Sequence, residues 1–448
     1  MRAPVQLRAG TKGSTSAHVV RLGTRRVVLI ESNQTGRQGA LRSQDGDNLV
    51  AAAKLALATR VPLVLAMSSS GADITEGLPA LHGWARGAHA VAACSGVVPV
   101  LAIVDGPAVS GPALLLGLAD QVVMTERSYA FVSGPHMVEQ FTGTMVSQQE
   151  LGGWQTHDRL TGCASLVVAD MAAAFDAVAD LLHFLPDHTD VEPHRVDTLD
   201  DPRRATPEAG RLLPDSPMGS YDVRDVVRAI VDDGDILEIR QGWASNLVTA
   251  FATLGGRPVG IVANQPQSMA GTLDIPGSQK GARFVSFCDA FNLALITLVD
   301  TPGFYPGKDL EWRGMIRHGA QLAFAYARAT VPRLCVALRK SYGGAYIVMD
   351  STTMGSDLYL AWPSAEIAVM GAGQAAAILM RRADPTERQA FEADYQDRLL
   401  NPYVAASRGT VDIVIEPAET RAMLCDALES FASKRESLVR RRHDNTPL

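Results

Sequence analysis

The segments of this chain with the most chemical potential are two glycine-rich turns, where the working groups would be backbone amides. Leu65-Ala66-Met67 runs into Ser68-Ser69-Ser70-Gly71-Ala72-Asp73-Ile74-Thr75-Glu76, and Leu101-Ala102-Ile103-Val104 runs into Asp105-Gly106-Pro107-Ala108-Val109-Ser110-Gly111-Pro112. Small residues at such strand-to-turn junctions let main-chain N–H groups approach a ligand closely. Pro112 suits the first position of a helix over Ala113 to Leu118, where no N–H is needed. The Gly111 N–H then stands at the positive end of that helix, aimed outward. Two such amides converging on one oxygen form an oxyanion hole, in which losing one donor lowers a rate by about 10²–10³. A single Gly-rich turn equally well closes a loop. Two in order, each recurring later in the chain, point to function.

They recur because the chain is duplicated. Arg26-Val27 to Gln34 matches Arg257-Pro258 to Gln265, an offset of 231 (257 − 26). Val61-Pro62-Leu63-Val64-Leu65 followed by Gly71 matches Leu293 to Thr297 followed by Gly303, an offset of 232 (303 − 71). Val97-Val98-Pro99 to Gly111 matches Thr330-Val331-Pro332 to Gly344, an offset of 233 (344 − 111). Ordered matches with so slow a drift mark two related domains. The polar, Pro-rich stretch around Pro186 to Tyr221 separates them, giving an N-terminal domain 1–190, a linker 191–215 and a C-terminal domain 216–448. Tyr221 to Glu238 supplies the second copy with a leading helix and strand; the first copy begins almost directly at its first core strand.

Each copy alternates short Val/Ile/Leu runs with Ala-rich segments of helical period, such as Asn48 to Thr59 and Glu311 to Ala329. Runs apolar at nearly every position predict strands covered on both faces, hence a layered α/β fold. At 448 residues with 47% hydrophobic and 20% charged residues, core size is ample. With a net charge of −7 the chain as a whole lacks the electrostatic footprint of a nucleic-acid binder, which leaves only a local basic site open. Five scattered cysteines without a CxxC pair suit a reducing cytoplasm. No apolar run near Met1 forms a signal peptide, and Ala88 to Val104, broken by Ser95, Gly96 and Pro99, reads as helix end, turn and buried strand instead of a membrane span.

Gly71-Ala72-Asp73-Ile74 resembles the first oxyanion loop of the crotonase superfamily, and Asp105-Gly106 to Gly111 its second. The resemblance implies two tandem crotonase-like domains, with Ala72 and Gly111 as thioester donors and Gly71 and Ser110 beside the substrate. The second copy carries a narrower likeness. Asn264-Gln265-Pro266, Asp300 to Gly307, Arg317-His318-Gly319-Ala320, Arg339 to Tyr346, Ala361 to Gly371 and Asn401 to Ala406 resemble the carboxyltransferase subunit of biotin-dependent acyl-CoA carboxylases, the propionyl-CoA carboxylase β type. That resemblance extends from about Ser32 onward. It implies that Gly344 and Ala345 face the ureido carbonyl of carboxybiotin, with Phe304, Tyr346 and Ile347 lining the substrate. It also implies coenzyme A thioesters as substrates, no metal, and hexamers of two stacked trimers whose sites lie between domains of different chains. No Met-Lys-Met biotinylation site and no ATP-grasp region fit, so biotin would come from a biotin carboxylase or carrier partner subunit. No membrane partner is implied.

Several positions depart from the family pattern. Leu114 stands where enoyl-CoA hydratases carry an acid, which argues against hydration. His136 replaces the family's Asp after Phe131-Val132-Ser133-Gly134-Pro135, either as a polar loop residue or as a proton donor to an enolate. Asp73 replaces an Arg, putting an anion close to the thioester. Trp154 replaces a small residue, filling the core or narrowing the pantetheine channel. Ile347 falls where the acyl chain is discriminated. The basic helix that normally precedes the first strand is absent, leaving Arg37, Arg42, Lys54 or Arg60 to meet the nucleotide. These departures motivate two alternatives: a biotin-independent decarboxylase of a malonyl-type CoA or carrier-protein thioester, and an inactive structural paralogue.

Overall fold

The computed structural model describes residues 5–6, 13–32, 37–216, 218–434, 436, 438–440 and 442–447. Asn33 and Gln34, matched to Asn264 and Gln265, lie outside them. The chain forms two compact units. One comprises Met1–His194 with Arg240–Trp243, the other Arg195–Ile239 with Ala244–Leu448. The second unit therefore takes in most of 191–215; Thr206 N–H donates to Ala418 O at 2.9 Å, and Arg204 pairs with Asp200 at 2.7 Å.

The first unit is built on an eight-stranded sheet. Thr15–Leu22 and Arg25–Ser32 form a hairpin edge, followed in parallel by Leu63–Ser69, Val100–Val109, Gln121–Thr125 and Leu166–Val168. Tyr129–Phe131 pairs with the far end of Val100–Val109. The second unit repeats this order: the hairpin Leu247–Leu254 and Arg257–Asn264, then Ala294–Thr301, Arg333–Tyr342, Leu358–Ala361 and Ile413–Val414, with Glu366–Ala368 on the far end of Arg333–Tyr342. Ile236–Glu238 edges the second hairpin. The first has its own edge strand, Val5–Gln6, so copy one starts earlier than its sequence suggests. The helix Val223–Ile230 has no counterpart among the described residues of copy one.

Sheet registers repeat as well. Parallel pairing slips between Met67 and Ser69 in one unit and between Val299 and Thr301 in the other, at the same 232-residue offset (299 − 67). Leu63–Ser69 is buried at every position, as strands covered on both faces require. Burying each such Leu or Val side chain stabilises by about 1.5–3 kcal/mol, and Leu65→Ala would cost about 2–5 kcal/mol. The helices Ser43–Thr59 and Leu78–Ala92 pack backbone to backbone, since a Cβ on Gly46 would lie 1.9 Å from Gly83 O.

Helix Leu78–Ala92, a turn and strand Val100–Val109 account for Ala88 to Val104. Among the described residues no helix is long and apolar enough to cross a membrane. All five cysteines are free, and burial pushes the Cys94 thiol up to about 11.

Candidate active site

In the first unit, the loop after Leu63–Ser69 is fixed by a parallel bridge between Leu41 and Ala72. Leu41 N–H donates to Gly71 O at 2.8 Å, and Asp73 N–H donates to Leu41 O at 2.8 Å. This alternation turns the Ala72 N–H away from the bridge, and it has no hydrogen-bond acceptor among the described residues. Gly71 holds φ +112°, a conformation side-chain-bearing residues rarely adopt. Asp73 is 3% exposed. Its carboxylate accepts from Thr75 N–H at 3.0 Å, Thr75 Oγ1 at 2.6 Å and Arg42 Nε at 3.1 Å. The Arg-to-Asp departure thus pins the donor loop. Its charge is balanced by Arg42, and Glu76 accepts Ser43 N–H at 2.6 Å next to it.

The second loop ends in a strained residue. Ser110 has φ 62° and ψ −121°, and its N–H donates to Phe131 O at 2.9 Å. The helix begins at Gly111, one residue before Pro112, and runs to Leu118. Gly111 N–H is accordingly a first-turn amide with no intrahelical acceptor. A Cβ on Gly111 would stand 2.8–3.0 Å from the Trp84 ring, and one on Gly71 would stand 3.4 Å from Val109 O and 3.7 Å from Ser110 Cβ. The structure therefore brings Gly71, Ala72, Ser110 and Gly111 together. At the loop's root, buried Asp105 accepts from Thr125 Oγ1 at 2.9 Å and is chelated by Arg127, which holds its carboxyl below the usual carboxylate range.

His136 lies exposed on the helix Pro135–Thr142, and the Gln140 side-chain amide donates to its Nε2 at 3.1 Å. Trp154 packs partly buried against the first unit's core. Arg60 pairs with Asp190 at 3.0 Å, whereas Lys54 lines a 670 Å³ groove with His82, Arg86 and His89.

The second unit reproduces the device. Leu273 bridges Phe304 as Leu41 bridges Ala72. Leu273 N–H donates to Gly303 O at 3.1 Å and Tyr305 N–H to Leu273 O at 2.8 Å, with Gly303 at φ +142°. Gly343 has φ 61°, matching Ser110. Phe304 hence occupies the place of Ala72, Gly344 that of Gly111, and Ala345 that of Pro112. Phe304 N–H has no acceptor among the described residues, a donor position that sequence reading missed although the 232-residue offset (304 − 72) already pointed to it. Phe304, Gly344 and Ile347 line a cavity of 460 Å³ with Met315, Ile316 and Gly319. Gly344 is exposed there, whereas Ala345 is 0% exposed. Tyr346 is turned into the core, edge-on to Tyr359 at 6.0 Å between ring centroids.

A Cβ on Gly319 would stand 3.4 Å from the Phe304 ring and one on Gly344 3.6 Å, so both glycines keep space open at the ring face. Among the described residues no three His, Cys, Asp or Glu side chains are placed to hold a metal ion.

Comparison with known proteins agrees with this geometry. The Carboxyl transferase domain family matches residues 20–446. The methylmalonyl-CoA carboxyltransferase 12S subunit of Propionibacterium freudenreichii subsp. shermanii is 43% identical over 415 residues, covering 91% of this chain and 79% of that protein. The propionyl-CoA carboxylase beta chain of Saccharopolyspora erythraea is 43% identical over 447 residues, covering 95% and 81%. The crystal structure of transcarboxylase 12S, a hexameric multienzyme core with methylmalonyl-CoA and methylmalonic acid bound, superposes with a TM-score of 0.97 at 39% identity, covering 100% of this chain and 90% of that one. None of these matches favours a biotin-independent decarboxylase or an inactive paralogue. The chain belongs to the carboxyl transferase domain family and is an acyl-CoA carboxyltransferase of the β type, biotin-dependent and acting on coenzyme A thioesters through two crotonase-like domains.

Proposed function

We propose that the first unit holds the acyl-CoA and the second the biotin, each neutralising its own transient oxyanion with main-chain amides. Ala72 and Gly111 N–H take the thioester oxygen as the α-carbon becomes an enolate. Gly344 N–H, flanked by Ala345 and Phe304 N–H, takes the ureido oxygen. Carboxybiotin supplies the carboxyl group and, once that has left, the base for the α-proton. No side-chain base is then needed, and the chain's task is to orient, polarise and exclude water. Gly71 and Ser110 shape the thioester cradle; Phe304 and Ile347 wall the ring cavity, while buried Tyr346 anchors the short helix Gly343–Val348 from below. The observation that carries this reading is the repetition of one strand–turn–helix device in both units.

A proton-donor role for His136 would quench the enolate and so belongs to decarboxylation, not to carboxyl transfer; in the transfer reading it is a polar residue bonded to Gln140. Coenzyme A is the acyl carrier and methylmalonyl-CoA the thioester we favour, given the ligand of the transcarboxylase 12S structure. That structure's hexamer supports a hexamer of two trimers here, with a biotin carboxylase or biotin carrier subunit as partner. The unpaired thiols support a cytoplasmic location. The test is CO₂ release from malonyl- and methylmalonyl-CoA, with and without free biotin. Release that depends on biotin supports transfer; equal release without it points to the decarboxylase, and none with either thioester contradicts the substrate assignment.

A further inference from the structure

The second unit contains a buried ion pair with no counterpart among the described residues of the first. Arg333, at the start of strand Arg333–Tyr342, is 3% exposed, and Asp350, just past the helix Gly343–Val348, is 0% exposed. Arg333 Nη1 donates to Asp350 Oδ1 at 2.9 Å and to Tyr326 O at 2.7 Å, while the same guanidinium donates to Met354 O and Gly355 O. The pair ties together the two ends of the strand–helix element that presents Gly344 and Ala345, 17 residues apart in sequence. Met349, between helix and Asp350, is itself held: its N–H donates to Ala345 O at 3.2 Å, and its carbonyl accepts from Cys335 Sγ at 3.6 Å. Asp350 sits at φ 60°, a strained conformation that its surroundings must enforce.

The first unit provides an internal comparison. Asp120 Oδ2 accepts Val100 N–H at 2.9 Å, just as Asp357 Oδ2 accepts Arg333 N–H at 2.8 Å, so the outer clamp on the strand is shared. The place of Arg333 is taken by apolar Val100, buried at 1%. The charged tie is thus confined to the unit we assign to biotin. Its short donor helix has six residues, against eight for Gly111–Leu118.

We infer that Asp350 is a positioning residue for the biotin-side amides: its carboxylate, clamped to Arg333, fixes the far end of the donor helix, and protonation of that carboxyl releases the helix end from Arg333 and shifts the amides from their set position. This rests on the donor role of Gly344 and Ala345 proposed above. Among the described residues Asp350 Oδ2 has no hydrogen-bond partner, so a proton placed there finds no acceptor while the guanidinium loses its counter-charge. Burial lifts the Asp350 carboxyl to about 7, with Arg333 and Lys434 pulling it down and Asp357 pushing it up; Tyr326 and Cys335 are the other titratable groups facing it. The ionised fraction of a group at about 7 rises about tenfold between pH 6 and 8.

The experiment uses the full protein with methylmalonyl-CoA and free biotin. The parent kcat for biotin-dependent transfer should rise about tenfold from pH 6 to 8, as that ionised fraction does. Asp350→Asn should stay flat near the acid-side value, with KM for methylmalonyl-CoA unchanged, because the first unit lacks the pair. Hydrogen exchange of the peptide covering 343–350, corrected for intrinsic rates, gives a readout independent of turnover. By linkage to the raised Asp350 pKa, it should quicken in the parent above pH 7 and not in Asp350→Asn. The parent measurement stands even if the variant fails to fold. A parent-like pH profile in Asp350→Asn, or exchange of 343–350 that ignores pH in the parent, overturns the inference. Gly344→Ala and Ala345→Pro run in parallel: if neither lowers biotin-dependent transfer, the donor reading itself has failed.

Discussion

Gly111→Ala is the sharpest perturbation of the thioester half. The added Cβ would meet three Trp84 ring atoms at 2.8, 2.9 and 3.0 Å, closer than real contacts allow. Trp84 is packed against the first unit's core by the helix Leu78–Ala92, so the ring cannot simply swing aside. The strained Ser110–Gly111 junction must shift instead, and a displacement of a few tenths of an ångström moves the Gly111 N–H off its oxygen. Overpacking of this kind destabilises a fold by about 1–3 kcal/mol, and a lost oxyanion donor lowers kcat by about 10²–10³. Transfer of the carboxyl group from methylmalonyl-CoA to free biotin, followed by CO₂ release, should therefore fall at least about 10²-fold in kcat, with a far smaller change in KM. The double variant Trp84→Leu/Gly111→Ala opens the space and should recover most of that loss. If the single variant retains kcat within threefold, or if the double variant is no better, the Gly111 amide is not the donor and the argument fails.

Other outcomes test separate parts of the account. Asp73→Ala removes three hydrogen bonds that pin the Ala72 loop, so it should lower kcat and destabilise the protein by about 1.5–3 kcal/mol; thermal melting and steady-state rates read both, and an unchanged pair of values contradicts the pinning role. Ala345→Pro deletes one N–H at a position where Pro112 already fits in the first unit. A loss of about 10²-fold in biotin-dependent transfer is expected, and an unchanged rate would leave Phe304 and Gly344 as the pair. His136→Asp should reduce biotin-independent CO₂ release relative to transfer; equal ratios in both proteins would reduce His136 to a surface side chain bonded to Gln140. Asp350 also makes stability depend on pH. Its folded pKa of about 7 lies above the ordinary 3.8, so its stabilising contribution is complete below about pH 4 and is lost as pH rises through 7. Three pKa units at about 1.4 kcal/mol each give roughly 4 kcal/mol, measured as the pH dependence of unfolding in the parent minus that in Asp350→Asn. Parallel curves would exclude the effect. Stability and biotin-side activity thus change in opposite directions with pH.

Much of this architecture was legible because duplication writes the same geometry twice. The offsets that align Gly71 with Gly303 and Gly111 with Gly344 also align backbone angles, φ 62° at Ser110 with φ 61° at Gly343. What sequence left hidden was contact-dependent. Asp73 read as an uncompensated anion close to the thioester, because nothing local announces that Arg42, 31 residues away, will neutralise it. Tyr346 read as a substrate residue from its motif, yet helix phase turns it inward while Ile347 faces the cavity. The Arg333–Asp350 pair carries no sequence signature, since its partners meet only after strand and helix have folded back. Pro112 sits one position deeper in its helix than its usual first-position preference suggests, which makes Gly111 itself helical.

The central claim is that main-chain nitrogens, not side chains, hold the reacting oxygens. A structure of the full protein with methylmalonyl-CoA bound tests it most directly. The thioester oxygen should lie within about 2.7–3.1 Å of both Ala72 N and Gly111 N. A thioester oxygen bonded instead to a side chain, with either amide facing a protein acceptor, would contradict it.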